Sequence, residues 1–471
     1  MFFGAFALGC AAAAAEPTET QKELQELRRR VEKLESRNAE LERALKSERV
    51  SETEPELVTR LKAVEFQALG MQKQARTIES LEGINVGVSF TTTAQAVNRA
   101  ATTDNTGESE LNYRVDVAVS LPGGEIGNAE GKIFGQIRLG QGLGVTGLRP
   151  TFSSPNATTF QLSGVSSAED SDALLAQAWY QLDVPLPAGG YKPQSREKLT
   201  INFGKIDPFV FFDQNAAAND ETRQFINNVF VHNALLDAGR DTGADAHGFQ
   251  PGLRMAYVSE KQKPLTYGLS LGIFGAGKGA HFENSLRSPF AILQADTHRK
   301  FFRGLDGNYR VYLWRNGQAT PFNNPFDTAT ERHAGWGLSA DQRVGDTVML
   351  FARYGKETRG RVQFDRVTSL GAEWGGDLWN RAADSVGVAF GRLRSSDAFR
   401  VDAPTLDADA DSAPDFGYAP DTAEEVIELY YRYRVHKQFE LSPDAQWIRN
   451  PGGSSTAADA KLIGLRAQVT F

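Results

Sequence analysis

The chain has 471 residues, with 51 Lys and Arg against 59 Asp and Glu, and its net charge of -8 argues against a nucleic-acid partner. A single cysteine, Cys10, excludes a disulfide framework and a thiolate metal site. No run of about 18 apolar residues follows the N-terminus, so no transmembrane helix is expected, although half-apolar strands could still cross a membrane.

Residues 1–15 read as a signal-peptide-like segment, an apolar stretch ending in the small-residue site Ala13–Ala15. The usual basic start is missing. Ala7-Leu8-Gly9-Cys10 is a poor lipobox, so Cys10 is read as lost with the signal. Residues 20–48 carry Leu24, Leu27, Val31, Leu34, Asn38, Leu41 and Leu45 at heptad a and d positions, with Glu, Lys and Arg elsewhere. This predicts a coiled coil in which Leu27, Val31, Leu34, Asn38 and Leu41 mediate homo-oligomerisation. Asn38 at an a position would fix register, and Val and Asn at a with Leu at d lean toward two strands. Residues 49–83 read as a charged, helical linker.

From Ile84 onward a two-residue alternation recurs. Ile84, Val86, Val88 and Phe90 alternate with Asn85, Gly87 and Ser89. Ile463, Leu465, Ala467, Val469 and Phe471 alternate with Gly464, Arg466, Gln468 and Thr470. Successive strand side chains point to opposite faces, so each segment has one greasy and one wet face. About sixteen such segments lie between 84 and 471. An amphipathic strand fits either a half-exposed soluble sheet or a barrel with lipid outside and water inside. The connections discriminate. Those near 98–108, 142–172, 206–250, 276–288, 317–332, 356–363, 395–424 and 450–459 form one set, and long and short alternate almost throughout. Membrane barrels alternate long outer loops with short periplasmic turns. The expected fold is therefore an all-β, 16-stranded antiparallel transmembrane β-barrel over 84–471, with the coiled coil at its N-terminus in the periplasm.

On the wet face this phase places Arg114, Lys132, Arg138, Arg254, Arg310, Arg353, Glu428, Arg432, Arg434 and Arg466. A charge facing lipid at mid-bilayer costs about 2–4 kcal/mol, so these residues are expected to face inward. Arg254, Arg310, Arg353, Glu428, Arg432, Arg434 and Arg466 are the candidate pore-lining set. Beside aromatic faces such donors suit sugar hydroxyls.

The stretch 199–230 reads LTINFGKIDPFVFFDQNAAANDETRQFINNVF. Gly204, Lys205, Asp207, Phe212, Asp213, Asn215, Ala218, Asn219, Asp220, Glu221, Gln224, Phe225 and Asn227 form a pattern that resembles the carbohydrate-selective porins of the OprB type. Shorter similar pieces include Phe351-Ala352-Arg353-Tyr354-Gly355 and Leu441-Ser442-Pro443-Asp444-Ala445-Gln446. The resemblance spans roughly 84–471; the N-terminal coil is not part of it. It implies an outer-membrane channel for passive diffusion of mono- and small oligosaccharides, with 206–250 folded inward as a constriction loop. Asp207, Phe212, Asp213, Asn215, Asn219, Asp220, Glu221 and Gln224 are that loop's candidate residues. Its many aromatics make it too apolar to float in water, and its acids are expected to hold it through salt bridges to inward arginines more than to touch solute. The likeness favours trimers, whereas the heptad pattern favours dimers.

Gly272–Gly279 imitates a phosphate loop but lacks the magnesium-binding Ser or Thr. Asp407, Asp409 and Asp411 have calcium-ligand spacing without the rest of an EF-hand. No cofactor, metal or enzymatic activity is expected. The competing reading is a general or ion-selective porin whose coil tethers the outer membrane to the periplasm or cell wall.

Overall fold

Every segment with two-residue alternation becomes a strand in the computed structural model, which describes residues 84–160, 171–188, 195–236, 249–276 and 287–471, the backbone of 78–81, and six residues between 29 and 39. The strands run β1 Ile78–Leu81, β2 Ile84–Val97, β3 Glu108–Ile126, β4 Ala129–Gln141, β5 Asp172–Leu186, β6 Glu197–Ile206, β7 Gln250–Gln262, β8 Leu265–Phe274 and β9 Phe290–Lys300. They continue as β10 Asp306–Ala319, β11 Glu331–Arg343, β12 Val348–Arg359, β13 Phe364–Gly375, β14 Ser385–Ser395, β15 Ala423–His436, β16 Phe439–Arg449 and β17 Ala460–Thr470. Strands β2 to β17 pair antiparallel in sequence order, and β17 returns to β2 through Leu462↔Val97 to Thr470↔Ser89. The ring of sixteen is therefore closed and has no unpaired edge, which is what a sheet needs in hydrocarbon.

The two faces are inverted relative to a soluble protein. Outward residues such as Leu253, Leu271, Leu313, Leu350, Leu370 and Ile463 are exposed. Inward residues such as Thr93, Asn112, Asn202, Gln294, Ser339 and Gln446 are buried. So broad an apolar exterior is stable only against lipid.

The connections keep the expected parity in the main, although 187–196 and 376–384 on the short side are longer than 360–363 on the long side. The long set is 98–107, 142–171, 207–249, 275–289, 320–330, 360–363, 396–422 and 450–459. The 360–363 connection, expected to start at 356, is short because β12 runs on to Arg359. On the long-connection side, Phe152, Phe322, Phe364, Phe399 and Phe416 pack together, with ring centroids 4.9–6.1 Å apart in the neighbouring pairs. Three of them are completed by α2, the short helix Asp397–Asp402 with Ser396 as its N-cap; α1 is Asn228–Val231.

The chain divides into two units, Met1–Gln67 and Ala68–Phe471. At the end of the expected helical linker, 78–81 is a strand, a correction to that reading. It gains ladder bonds by pairing with β2 (Ile78↔Val86), and such tertiary pairing overrides local helical preference. In the expected coil, Arg29, Glu32, Lys33, Glu35, Ser36 and Ala39 are helical. Leu27, Val31, Leu34, Asn38, Leu41 and the signal-like segment lie outside the described residues.

Candidate functional site

The chain leaving β6 turns inward at Asp207. Its carboxylate accepts the Phe209 N–H at 2.9 Å and so caps a single 3-10 turn, Pro208–Val210. Proline at the first turn position has no N–H to strand. Burial pushes the Asp207 carboxyl up to about 6, and the Phe209 bond and the Arg138 charge offset this only in part.

The next turn is held by Asp213, which adopts a left-handed backbone (φ 53°) and is fully buried. One of its carboxylate oxygens lies 3.1 Å from Arg353 Nε. The carboxylate also accepts the Asn233 N–H at 2.6 Å and the Tyr312 hydroxyl at 2.9 Å. Arg353 donates further to the carbonyls of Phe230 (2.7 Å) and Asp213 (2.9 Å). Phe212 packs edge-on against Phe274, 6.1 Å between centroids.

Further along, Asn215 accepts the Ala217 N–H and donates to the Ala340 carbonyl, both at 3.1 Å. Gln224 folds the segment on itself. Its oxygen accepts the Asn219 and Asp220 N–H groups, and its amide donates to the Ala216 carbonyl at 2.8 Å. Asp220 accepts from Thr222 N–H and hydroxyl. Glu221 pairs with Arg114 at 2.7 Å, and Arg223 makes a two-pronged contact with Glu440. Arg466 donates to the carbonyls of Glu221 (2.7 Å) and Gln224 (2.6 Å). Glu428 accepts the N–H groups of Ile226 and Asn227, and the Asn227 oxygen then caps α1.

These partners lie on β3, β8, β10, β11, β12, β15, β16 and β17, so 207–236 is ringed by strands and lies inside the barrel. The constriction-loop candidates come together as one segment. Phe212, Asp213, Asn215 and Gln224 are buried in its seat, while Asp207, Asn219, Asp220 and Glu221 keep partial exposure. The end of the segment, 237–248, lies outside the described residues.

The arginines all face inward, but three of the pore-lining candidates need correction. Arg353, Glu428 and Arg466 are 2 %, 0 % and 2 % exposed. The segment covers them, so they hold it rather than meet water. Arg310, Arg432 and Arg434 stay partly open and pair with Asp341, Glu373 and Glu440. Arg254 also stays partly open; it donates to Asn202 at 3.0 Å and lies over Phe211, 4.4 Å from the ring centroid. Among the described residues Arg254 Nε has no acceptor.

Arg254 belongs to a row that the sequence reading did not assemble. Phe134 stacks on Trp179 at 4.6 Å, Trp179 meets Phe211 edge-on at 5.7 Å, and Lys132 Nζ lies 6.0 Å from the Phe134 and Trp179 rings. The row runs across β4, β5 and β7 and ends on the inward segment. Even positions 132 and 134 gave the phase; the contribution of Phe211 needed the fold. Glu424 was also missed. Buried at the top of β15, it accepts the N–H groups of Phe152 (2.7 Å), Ser153 (2.8 Å) and Gly452 (2.8 Å), tying two long connections together.

Asp407 and Asp409 do draw near each other, but the third carboxylate is Asp415, not Asp411; Asp411 instead donates its N–H to the cluster. Gly272, first in the phosphate-loop imitation, is part of β8 under Phe212 and Phe274.

Residues 140–471 match the family described as "Carbohydrate-selective porin, OprB family". Porin B of Pseudomonas aeruginosa is 26% identical over 159 residues, 31% of this chain and 35% of that protein. An uncharacterized protein of a Nostoc species is 29% identical over 161 residues, 33% of this chain and 24% of that protein. The matched stretch thus spans about a quarter to a third of these relatives. A high-pH structure of Pseudomonas putida OprB superposes with a TM-score of 0.63 at 19% identity, covering 83% of this chain and 94% of that one, a likeness of fold.

Proposed function

Because this chain belongs to the OprB family of carbohydrate-selective porins, a family of outer-membrane channels rather than enzymes, we propose that it passes mono- and small oligosaccharides passively across the bacterial outer membrane. The observation that carries the reading is the row Lys132–Phe134–Trp179–Phe211–Arg254 beside the inward segment. Aromatic faces take the C–H side of a pyranose, and cationic donors take its hydroxyls. The half-open Arg254 guanidinium over Phe211 supplies the cationic donor on this row. Asp207, Asn219, Asp220 and Glu221 add acceptors on the segment's partly open side.

The test is single-channel conductance in planar bilayers with glucose and maltooligosaccharides. Sugar should reduce the ion current in a saturable way, beyond the effect of a non-binding polyol at equal viscosity. Ordinary salt current without saturable block would leave a general or ion-selective porin instead.

We also propose that residues 20–48 gather the barrels into homo-oligomers from the periplasmic side, trimers before dimers. Support for association comes from the heptad pattern, and the preference for trimers from the family likeness. Native mass measurement of the extracted protein and of a 20–48 deletion tests it, and an unchanged oligomer after deletion would remove the coil from the assembly. Co-sedimentation with cell-wall sacculi that is lost on the same deletion would support a tether.

A further inference from the structure

The outward face carries a row of cations at one height, near the long connections. On β12 to β14, Lys356 stands directly opposite Arg366, and Arg366 directly opposite Arg394. Arg392 lies opposite Glu425, Glu425 opposite Arg449, and Trp447, two residues from Arg449, opposite Lys461. Each cation shares the face of the exposed apolar residues below it. Lys356 follows Leu350, Ala352 and Tyr354; Arg366 precedes Thr368 and Leu370; Lys461 precedes Ile463 and Leu465. The row therefore begins where the lipid-facing band ends.

Like charges directly opposite on neighbouring strands repel. This chain is acidic overall, yet it sets three such cations side by side. The acids nearby pair with them only loosely. Arg366 is 3.9 Å from Asp365, Arg392 is 3.9 Å from Glu425 and Arg394 is 3.8 Å from Asp397, all beyond hydrogen-bond length. Among the described residues, the one arginine of the row with an acid at hydrogen-bond length is Arg449, 3.0 Å from Glu425. Among the described residues, Arg366 Nε is buried without an acceptor. The outward cations continue onto β10 and β11 with the exposed Arg315 and Arg332, whereas on the other side of the perimeter the outward residues near the long connections include Thr92, Ala94, Leu111 and Ile273. Trp336 stands directly opposite Lys356 and packs on Tyr354, one outward position below it, with ring centroids 5.3 Å apart, as expected at the level of lipid headgroups.

We propose that this face, from β12 to β17, binds the phosphate groups of glycolipids in the outer leaflet. The proposal rests on the reading that the chain spans the outer membrane with its long connections outside. A row of anionic headgroups would offset the mutual repulsion and supply closer acceptors for the exposed ends of these side chains. Guanidinium groups are suited to this because they bind phosphate with two parallel N–H donors.

The test uses the full-length protein in detergent and native mass spectrometry, with diphosphorylated lipid A, its dephosphorylated form, inorganic phosphate and polyglutamate as probes. Lipid A should bind, and the variant K356Q/R366Q/R394Q should weaken it by at least about tenfold. The variant R366K/R394K should retain most of the binding. Single-channel conductance of both variants should match the parent, showing that the barrel is intact and separating a failure here from a failure of the channel reading. Equal binding of the dephosphorylated lipid, competition by millimolar inorganic phosphate, tighter binding of polyglutamate, or no loss in the triple variant would each overturn the proposal.

Discussion

Arg353 and Asp213 meet inside the barrel at 3.1 Å with side-chain exposures of 1 % and 0 %. The carboxylate belongs to the inward segment and the guanidinium to β12, so the contact joins the wall to what it encloses. Removing one partner of such a pair strands the other charge, at a cost of about 3–5 kcal/mol. Arg353→Met should lower the denaturant midpoint of the refolded barrel. It should also raise mean single-channel conductance and add fluctuations, because the carbonyls of Phe230 and Asp213 lose their donor as well. A quiet, parental current trace from Arg353→Met would show that the segment is held elsewhere.

Glu424 works by a different arrangement, one carboxylate against three backbone N–H groups and the Ser153 hydroxyl. Glu424→Ala leaves those donors without an acceptor, each worth about 1–3 kcal/mol if it stays buried. The less costly response is for the connections to lift into water. Proteinase K should then cut within the 142–160 stretch at least about tenfold faster on intact cells, with the barrel still heat-modifiable on gels. An unchanged cleavage rate would mean that the phenylalanine cluster alone holds these connections.

The strand phases were legible because lipid and water divide the residues at a period of two, a signal no loop disturbs. Inward orientation of Arg353 and Arg466 followed from that phase. Their burial did not, because it depends on carbonyls donated by a segment more than a hundred positions away. Glu424 was unreadable for the same reason: alone, it looks like any rim acid, and its partners Phe152 and Ser153 precede it by 272 and 271 positions. The strand at 78–81 was missed because a four-residue piece carries too little periodicity to outweigh its charged surroundings.

Gly355 offers a sharper test of how tightly the segment sits. A Cβ there would come within 2.4 Å of the Asn233 side chain, which donates to the Tyr312 hydroxyl at 2.9 Å. Gly355→Ala should therefore push Asn233 off Tyr312 and cost about 1–3 kcal/mol of stability, an overpacking penalty. Adding Asn233→Ala to it should recover part of that loss. If the double variant is no more stable than Gly355→Ala, the clash lies in the backbone instead.

Asp207 predicts a pH dependence with a definite sign. Its carboxyl titrates at about 6 in the folded chain against an ordinary 3.8, so the folded form binds more proton between those values. Its contribution to stability is present at low pH, falls as pH rises through that window and is flat above it. The denaturant midpoint should drop from pH 4 to pH 6.5, and Asp207→Asn should flatten that part of the profile. A profile unaltered by Asp207→Asn would assign the dependence to another acid.

The aromatic row makes the last prediction, and it separates solute recognition from simple pore size. Phe211 contributes a face and no charge, so Phe211→Ala should leave potassium chloride conductance within about a factor of two while weakening sugar block by about tenfold, or about 1.4 kcal/mol. Arg254→Gln keeps an amide donor but loses the cation over the ring, a contact worth about 0.5–2 kcal/mol. Its effect on block should be of similar size, and the double variant should lose less than the two losses added, because ring and guanidinium support each other. If both single variants widen the pore and leave the sugar constant unchanged, the row is packing for the inward segment and sugar is recognised at another place on the wall.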